Sequence, residues 1–405
     1  MRLYLLLVAI AGVSAAQTAL TAKDAVSKAL AVHPLVAASE QRVAASVGLR
    51  RQAGLAPNPV FSFQTENVRF SGSPPFQYWN ATDTFGLLSQ TFETAGKRDR
   101  RVETAAAGVH RAELERELLR RQIAARVKQA YWAAAGGQRI HELLLETAKS
   151  FLLTVEYHEI RVREGAMAEA DLLRVRLESE RIALAASAAL LEAERARIAL
   201  FREMGQAAIP PAVRYEPVEL DQLAPLPADA ELALAQRTEI KLARAALELA
   251  QANHRLQLAY GRPDIAGLAG FKRTEGLNTL VAGLQIDLPF RNRNQGNIAA
   301  AGAEIHAARA ELASAEAVVR AEVDAAAKDY AIRSRQLSES LRPMMDHAAD
   351  SAQIAQAAYR EGGWDLLRLL DSERLRLETE LLYYRALAEL RQSVAAQETA
   401  MGMEP

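Results

Sequence analysis

Residues 95–164 carry helical periodicity without a break. A helix of that length is a rod about 100 Å long, too long for one compact domain. Leu119, Ile123, Val127 and Tyr131 recur four apart, and Leu144, Ala148, Phe151 and Val155 recur at four, three and four. A second rod, 297–361, repeats the device with Leu312, Ala315, Val319, Val323, Ala326 and Tyr330. Such stripes make coiled-coil seams, and the alanines in them let helices approach closely. Pro343 removes a backbone donor inside the second rod, which predicts a kink near Arg342. The composition agrees: alanine is about one residue in five and aromatics are 6% of 405 residues. That mixture suits long helices better than one globular core.

The rods belong to a duplicated plan. Pro210, Pro211, Pro217, Pro225 and Pro227 crowd one segment and mark a linker over 209–228. It separates a first repeat, 17–208, from a second, 229–405. Each half reads as a helix (34–53; 239–260), a proline-marked break, a rod, a glycine turn and a return helix (168–204; 365–400). The turns are Glu164-Gly165 and Glu361-Gly362-Gly363. Ala29-Leu30-Ala31 matches Ala233-Leu234-Ala235, Pro59 matches Pro263, and EGAMAEADLLRVRLESER (164–181) echoes EGGWDLLRLLDSER (361–374). Order and local sequence together indicate an internal duplication.

The amino terminus indicates export. Arg2, the apolar run Leu3 to Val13 and Ser14-Ala15-Ala16 have the form of a cleaved signal peptide, 1–16. The run is shorter than the ~20 residues a membrane-spanning helix needs. A formal net charge of −1 argues against a nucleic-acid partner. The absence of cysteine excludes disulfides, thiolate chemistry and lipid attachment through an N-terminal cysteine.

The breaks between helices read as strands. Over 280–290, Leu280, Ala282, Leu284, Ile286, Leu288 and Phe290 share one face, with Val281, Gly283, Gln285, Asp287 and Pro289 on the other. Residues 263–272 are the expected partner. In the first half Phe61 and Phe63 alternate with Ser62, Gln64 and Glu66, and a less regular strand covers 79–92, joined through the turn cluster 71–78. Phe70, Tyr78, Trp79, Phe92 and Phe290 fall near strand ends, where interface aromatics of outer-membrane barrels lie. Four strands leave open edges, and a closed barrel needs at least about eight. If these strands span a membrane, two or three copies must share one barrel; soluble hairpins capping a coiled coil are the alternative.

NPVFSFQTEN (58–67), QTFETAGKR (90–98), LPFRNRNQGN (288–297), the two glycine turns and the helix starts His33-Pro34-Leu35 and Arg237-Thr238-Glu239-Ile240 carry a resemblance. With these segments the chain resembles the TolC-type outer-membrane efflux family, most closely the branch serving heavy-metal pumps of the resistance-nodulation-division type. The resemblance implies a mainly α fold with a membrane β-barrel. In it a homotrimer gives four strands per chain to a 12-stranded barrel, and its long helical hairpins form a periplasmic tunnel. It also implies an outer-membrane location in a Gram-negative cell, outer-membrane lipid around the barrel, and a periplasmic adaptor and inner-membrane pump as partners. The function implied is passive conduction, heavy-metal cations being the expected substrate. By position, Asp365 and Asp171 match the acidic lining of the tip constriction, and Arg368 departs from it. Arg161, Arg163, Gly165, Arg360, Glu361 and Gly362 flank the turns where an adaptor would dock. The competing reading is an exported coiled-coil adaptor without a pore, for which two duplicated hairpins with strand pairs are the wrong architecture.

Enzyme signatures do not emerge. His33, His110, His141, His158, His254, His306 and His347 form no HExxH and no close ligand pair, and are expected to be solvated or on the rim. Met344-Met345 is the single adjacent methionine pair. There is no GxGxxG, GxxxxGK[ST] or GxSxG. No cofactor and no metal site are expected.

Overall fold

The computed structural model describes residues 19–73, 75–217 and 227–403. The expected signal segment, 1–16, and the centre of the expected linker, 218–226, lie outside them. The first repeat comprises α1 (Ala22–Val32), α2 (Pro34–Ala53), β1 (Val60–Glu66), the single turn α3 (Tyr78–Ala81), β2 (Asp83–Phe92), α4 (Lys97–Arg163) and α5 (Glu169–Glu203). The second comprises α6 (Ala230–Gln236), α7 (Thr238–Tyr260), β3 (Ile265–Thr274), β4 (Leu277–Ile286), α8 (Gln295–Arg335), a π-helical turn (Gln336–Leu341), α9 (Arg342–Arg360) and α10 (Leu366–Ala400).

The rod α4 is the spine of the molecule. It packs against α1, α2 and α5 of its own repeat and against α7 and α10 of the other. Its stripe Ile123, Val127 and Tyr131 is fully buried beneath α1 (Ala25, Val26, Ala29) and the end of α5 (Leu200, Phe201, Met204). In the second repeat Val319 and Val323 of α8 meet α6 (Ala233, Leu234), Ile240, Ala400 and Met401 in the same way. The short helices α1 and α6, to which the periodicity gave no separate bounds, thus cap the two stripes. Tyr131 donates its hydroxyl hydrogen to the Leu20 carbonyl at 2.6 Å and accepts from the Glu216 amide at 3.1 Å. Burial pushes that phenol up to about 12.

The repeats close with matching corners. His33, between α1 and α2, lies against Gly205; Arg237, between α6 and α7, lies against Gly402. The His33 ring is buried, not solvated as expected, and its Nδ1 accepts the Leu35 amide hydrogen at 3.1 Å to cap α2. Its replacement at the second corner, Arg237, is also buried and pairs with Glu239 at 2.7 Å and with Glu322. Arg121 of α4 donates to the Gly402 carbonyl at 2.7 Å and Lys128 pairs with Glu398 at 2.8 Å, so the second repeat is tied to the first rod.

The second rod is interrupted, but not by a simple proline kink. The amide of Arg342 reaches the Leu337 carbonyl five residues back, closing a π-turn just before Pro343. Leu337 and Leu341, both buried, pack there with Tyr383, Leu387 and Leu390 of α10. The extra residue of the turn absorbs the proline's missing donor without ending the rod. The buried positions run through it at spacings of three, four or seven residues: Val319, Val323, Tyr330, Leu337, Leu341, Ala348, Ala352 and Ala355.

The strands form one antiparallel sheet in the order β1-β2-β3-β4. The middle pairing, β2 with β3, joins the two repeats, and β1 and β4 are its edges. The hairpin β3–β4 turns on Glu275 and Gly276 at φ 49° and 82°, the two-residue turn whose positive dihedrals suit the strand twist. That turn sets β4 three residues earlier than the alternation 280–290 suggested, so Leu288 and Phe290 lie beyond it. The strand expected over 79–92 begins at Asp83, because Tyr78–Ala81 makes a helical turn first.

Candidate functional site

Strand register sorts side chains onto two faces. Phe61, Phe63, Leu88, Phe92, Ile265, Phe271, Leu280, Leu284 and Ile286 share one face, and all are solvent-exposed in the single chain. The opposite face carries Ser62, Gln64, Glu66, Ser89, Thr91, Lys272, Thr279 and Gln285. A strand as long as β3 rises about 33 Å, or roughly 25 Å when tilted as in a barrel, the height of an outer-membrane apolar band. The five aromatics expected at a membrane interface divide into two levels. Phe70, Tyr78 and Trp79 lie at the β1–β2 turn, with the Arg273 guanidinium 5.1 Å from the Trp79 ring. Phe92 and Phe290 lie at the helix end of the sheet, exposed. No described helix is long and apolar enough to cross a membrane.

At the far end of the rods the two hairpin turns meet. Both reverse through a glycine in the left-handed region, Gly165 at φ 71° and Gly362 at φ 78°, which side chains disfavour. The turn amides fold back alike: Gly165 to Val162 and Ala166 to Arg161, Gly362 to Tyr359 and Gly363 to Ala358. Val155, Met167 and Val175 of the first hairpin pack with Ala355, Tyr359, Trp364, Leu366 and Leu369 of the second. Helix starts differ between them. Asp365 is the N-cap of α10, accepting the Arg368 amide hydrogen at 2.9 Å. In α5 that place is taken by Ala168, and Asp171 is the third residue of the helix, paired with Arg174 at 3.4 Å. The shared Asp-Leu-Leu-Arg spelling therefore does not put Asp171 and Asp365 at equivalent turn positions. Arg368 is exposed beside the Trp364 ring, 5.8 Å from its centroid. Arg163, Arg360 and Glu361 are exposed on the turns.

One cluster at the tip was not singled out from sequence. His158 is 1% exposed, against the expectation of a solvated ring. Its Nδ1 lies 2.7 Å from the Thr154 carbonyl and its Nε2 2.9 Å from the Tyr359 hydroxyl. A carbonyl only accepts, so Nδ1 carries a hydrogen, and Nε2 shares a hydrogen bond with the Tyr359 hydroxyl. Arg161 completes the group, 5.9 Å from the Tyr157 and Tyr359 ring centroids and 3.4 Å from the Tyr359 hydroxyl. Burial pushes the Tyr359 phenol up, while the Arg161 charge pulls it down. Its signal in the sequence was a polar aromatic on the inward stripe just before each glycine turn.

The sequence profile of the family described as "Outer membrane efflux protein" matches residues 25–206, essentially the first repeat. The cobalt-zinc-cadmium resistance protein CzcC of Cupriavidus metallidurans is 24% identical over 388 residues, covering 95% of this chain and 90% of its own length. Over residues 25–206 the chain matches the outer membrane efflux protein family. Its fold is that of solved outer-membrane channels. A structure of CusC superposes with a TM-score of 0.76 at 20% identity, over 96% of this chain and 93% of CusC. The open state of the Neisseria gonorrhoeae MtrE outer membrane channel superposes with a TM-score of 0.77 at 20% identity, over 94% and 89%. The matched family and the superposed structures are those of outer-membrane channel proteins, not of enzymes. Among the described residues no three His, Cys, Asp or Glu side chains gather as a metal site.

Proposed function

We propose that three copies of the chain close one 12-stranded barrel and a continuous helical tunnel, the passive exit duct of a tripartite efflux pump. The observation that carries this reading is the sheet itself. It has one apolar exposed face, one more polar face and two unpaired edges, β1 and β4. Lipid does not tolerate open edges, and four strands are too few to close alone. The order β1-β2-β3-β4 leaves β4 of one copy antiparallel to β1 of the next, so cyclic pairing removes every edge. Heavy-metal cations are the proposed cargo, in keeping with the printed name of the CzcC relative. The chain's own part is conduction rather than capture, and the adaptor is proposed to dock on the turns at Arg161, Arg163, Gly165, Arg360, Glu361 and Gly362.

The proposed constriction lies at the tip. Asp365 spends one carboxylate oxygen on its helix cap and keeps the other exposed. Three copies around an axis would bring like charges together and raise local cation concentration, with Arg368 opposing them and Asp171 contributing from the first hairpin. The test is planar-bilayer conductance of the purified protein under a salt gradient. Asp365→Ala is expected to shift the reversal potential away from cation preference; an unchanged potential removes Asp365 from the constriction, and a non-conducting membrane protein defeats the duct reading.

A further inference from the structure

We propose that the arginines at the four strand–helix junctions form a binding surface for the phosphates of anionic phospholipid in the periplasm-facing leaflet. Arg50 and Arg51 end α2 before β1; Arg98 opens α4 after β2; Arg262 follows α7 before β3; Arg291 and Arg293 lie between β4 and α8. Every junction contributes, and all six side chains are exposed. None has a carboxylate in ion-pair range among the described residues.

The carboxylates at this level are mostly engaged elsewhere. Glu93 holds Arg101, Asp264 holds Lys97 at 2.7 Å, and Glu103 is shared by Arg100 at 2.8 Å and Arg255 at 2.6 Å. Two remain, Asp99 and Asp287, and the alternation of β4 puts Asp287 in line with the polar face. Depth is set by exposed apolar neighbours: Leu55 beside Arg51, Phe92 before Arg98, Ile265 after Arg262, Leu288 and Phe290 before Arg291. Side chains of that kind sit in hydrocarbon, which puts the guanidinium groups at headgroup depth.

Geometry favours phosphate as the ligand. Arg98 donates Nε to the Gly54 carbonyl and Arg293 donates Nε to the Pro289 carbonyl at 3.2 Å. In both, the two Nη groups stay free for a bidentate oxyanion. The opposite end of the sheet has no such excess. There Arg69, Lys272 and Arg273 face Glu66, Asp83 and Glu275, and Lys272 and Arg273 lie over the Phe85 and Trp79 rings at 4.9 and 5.1 Å. Attraction to anionic headgroups is thus confined to the periplasmic side.

The test uses the full chain in nanodiscs of mixed phosphatidylcholine and phosphatidylglycerol, with bound lipid counted by native mass spectrometry. Wild type is expected to enrich phosphatidylglycerol. Arg98→Gln/Arg262→Gln/Arg291→Gln/Arg293→Gln should lose that preference by about fivefold per arginine. Arg291→Gln/Arg293→Gln alone gives a second, milder reading should the fourfold variant fail to fold, and Arg69→Gln should change nothing. No enrichment by wild type, full retention by the variants, an equal loss with Arg69→Gln, or uptake of inorganic phosphate without lipid preference would each overturn the proposal. Co-elution with nanodiscs reports insertion separately. A chain that inserts without lipid preference sinks this surface and leaves the duct reading standing.

Discussion

A close helix approach between the two repeats predicts opposite outcomes for one substitution at two places on α4. Gly108→Ala gains about 1 kcal/mol of helix propensity, and its new methyl meets nothing within 4 Å. Gly136→Ala gains the same propensity, but its Cβ would stand 2.5 Å from the Cβ of Ala388 on α10. Two such carbons prefer about 3.5–4.0 Å, so the helices must part by roughly 1 Å. At that height α10 is held between Leu387 and Leu390, both buried against the second rod, so it cannot retreat freely. Overpacking of this kind costs about 1–3 kcal/mol, which outweighs the propensity gain. The expected result is a raised thermal midpoint for Gly108→Ala and a lowered one for Gly136→Ala, followed by far-UV circular dichroism at fixed protein concentration. Adding Ala388→Gly to Gly136→Ala removes the opposing methyl and should recover the clash term in a double-mutant cycle. Equal stabilisation by the two single variants, or no coupling in the cycle, would refute the packing argument.

Two further outcomes follow from buried histidines. Burial, helped by the Arg126 charge and opposed by Glu203, lowers the pKa of His33 below 6.5. The unfolded chain therefore takes up that proton first, so His33's contribution is fully present above about pH 6.5 and declines as pH falls towards the folded value. His33→Asn keeps a capping side chain that does not titrate, and should flatten the midpoint's pH dependence relative to wild type as pH falls below about 6.5; an unchanged slope would count against it. Tyr359→Phe leaves His158 Nε2 without its hydrogen-bond partner in a buried site, which should cost about 1–3 kcal/mol locally. Hydrogen exchange over residues 154–162 reads this directly, and undiminished protection there would dismiss the contact.

What could be read from sequence was whatever repeats at short range. The stripes through Ile123, Val127 and Tyr131 and through Val319 and Val323 are buried as their spacing requires, because 3.6-residue periodicity is local and strong. The β strands were legible as strands, but their limits depended on turn chemistry: Glu275-Gly276 moved β4, and Tyr78–Ala81 shortened β2. The tip residues were found by the glycine turns, whereas His158 was missed because its partner Tyr359 is about two hundred residues away in the other repeat. Asp171 and Asp365 were equated by spelling, and only the helix starts revealed the three-residue offset. Arg237 and His33 occupy corresponding corners with unlike side chains, a correspondence no local pattern could express.

The π-turn in the second rod fixes the rotational phase of everything below it. One residue of α-helix turns the chain by about 100° about its axis. Below Gln336–Leu341 the buried Ala348, Ala352 and Ala355 stay in phase with Leu337 and Leu341, and Tyr359 reaches His158. Losing one residue there would leave a smoother helix and a misaimed tip, its inward stripe swung a quarter turn or more off its seat. Length in this segment is therefore constrained more tightly than residue identity, and a substitution at exposed Ser338 or Glu339 is a far smaller perturbation than a deletion of either.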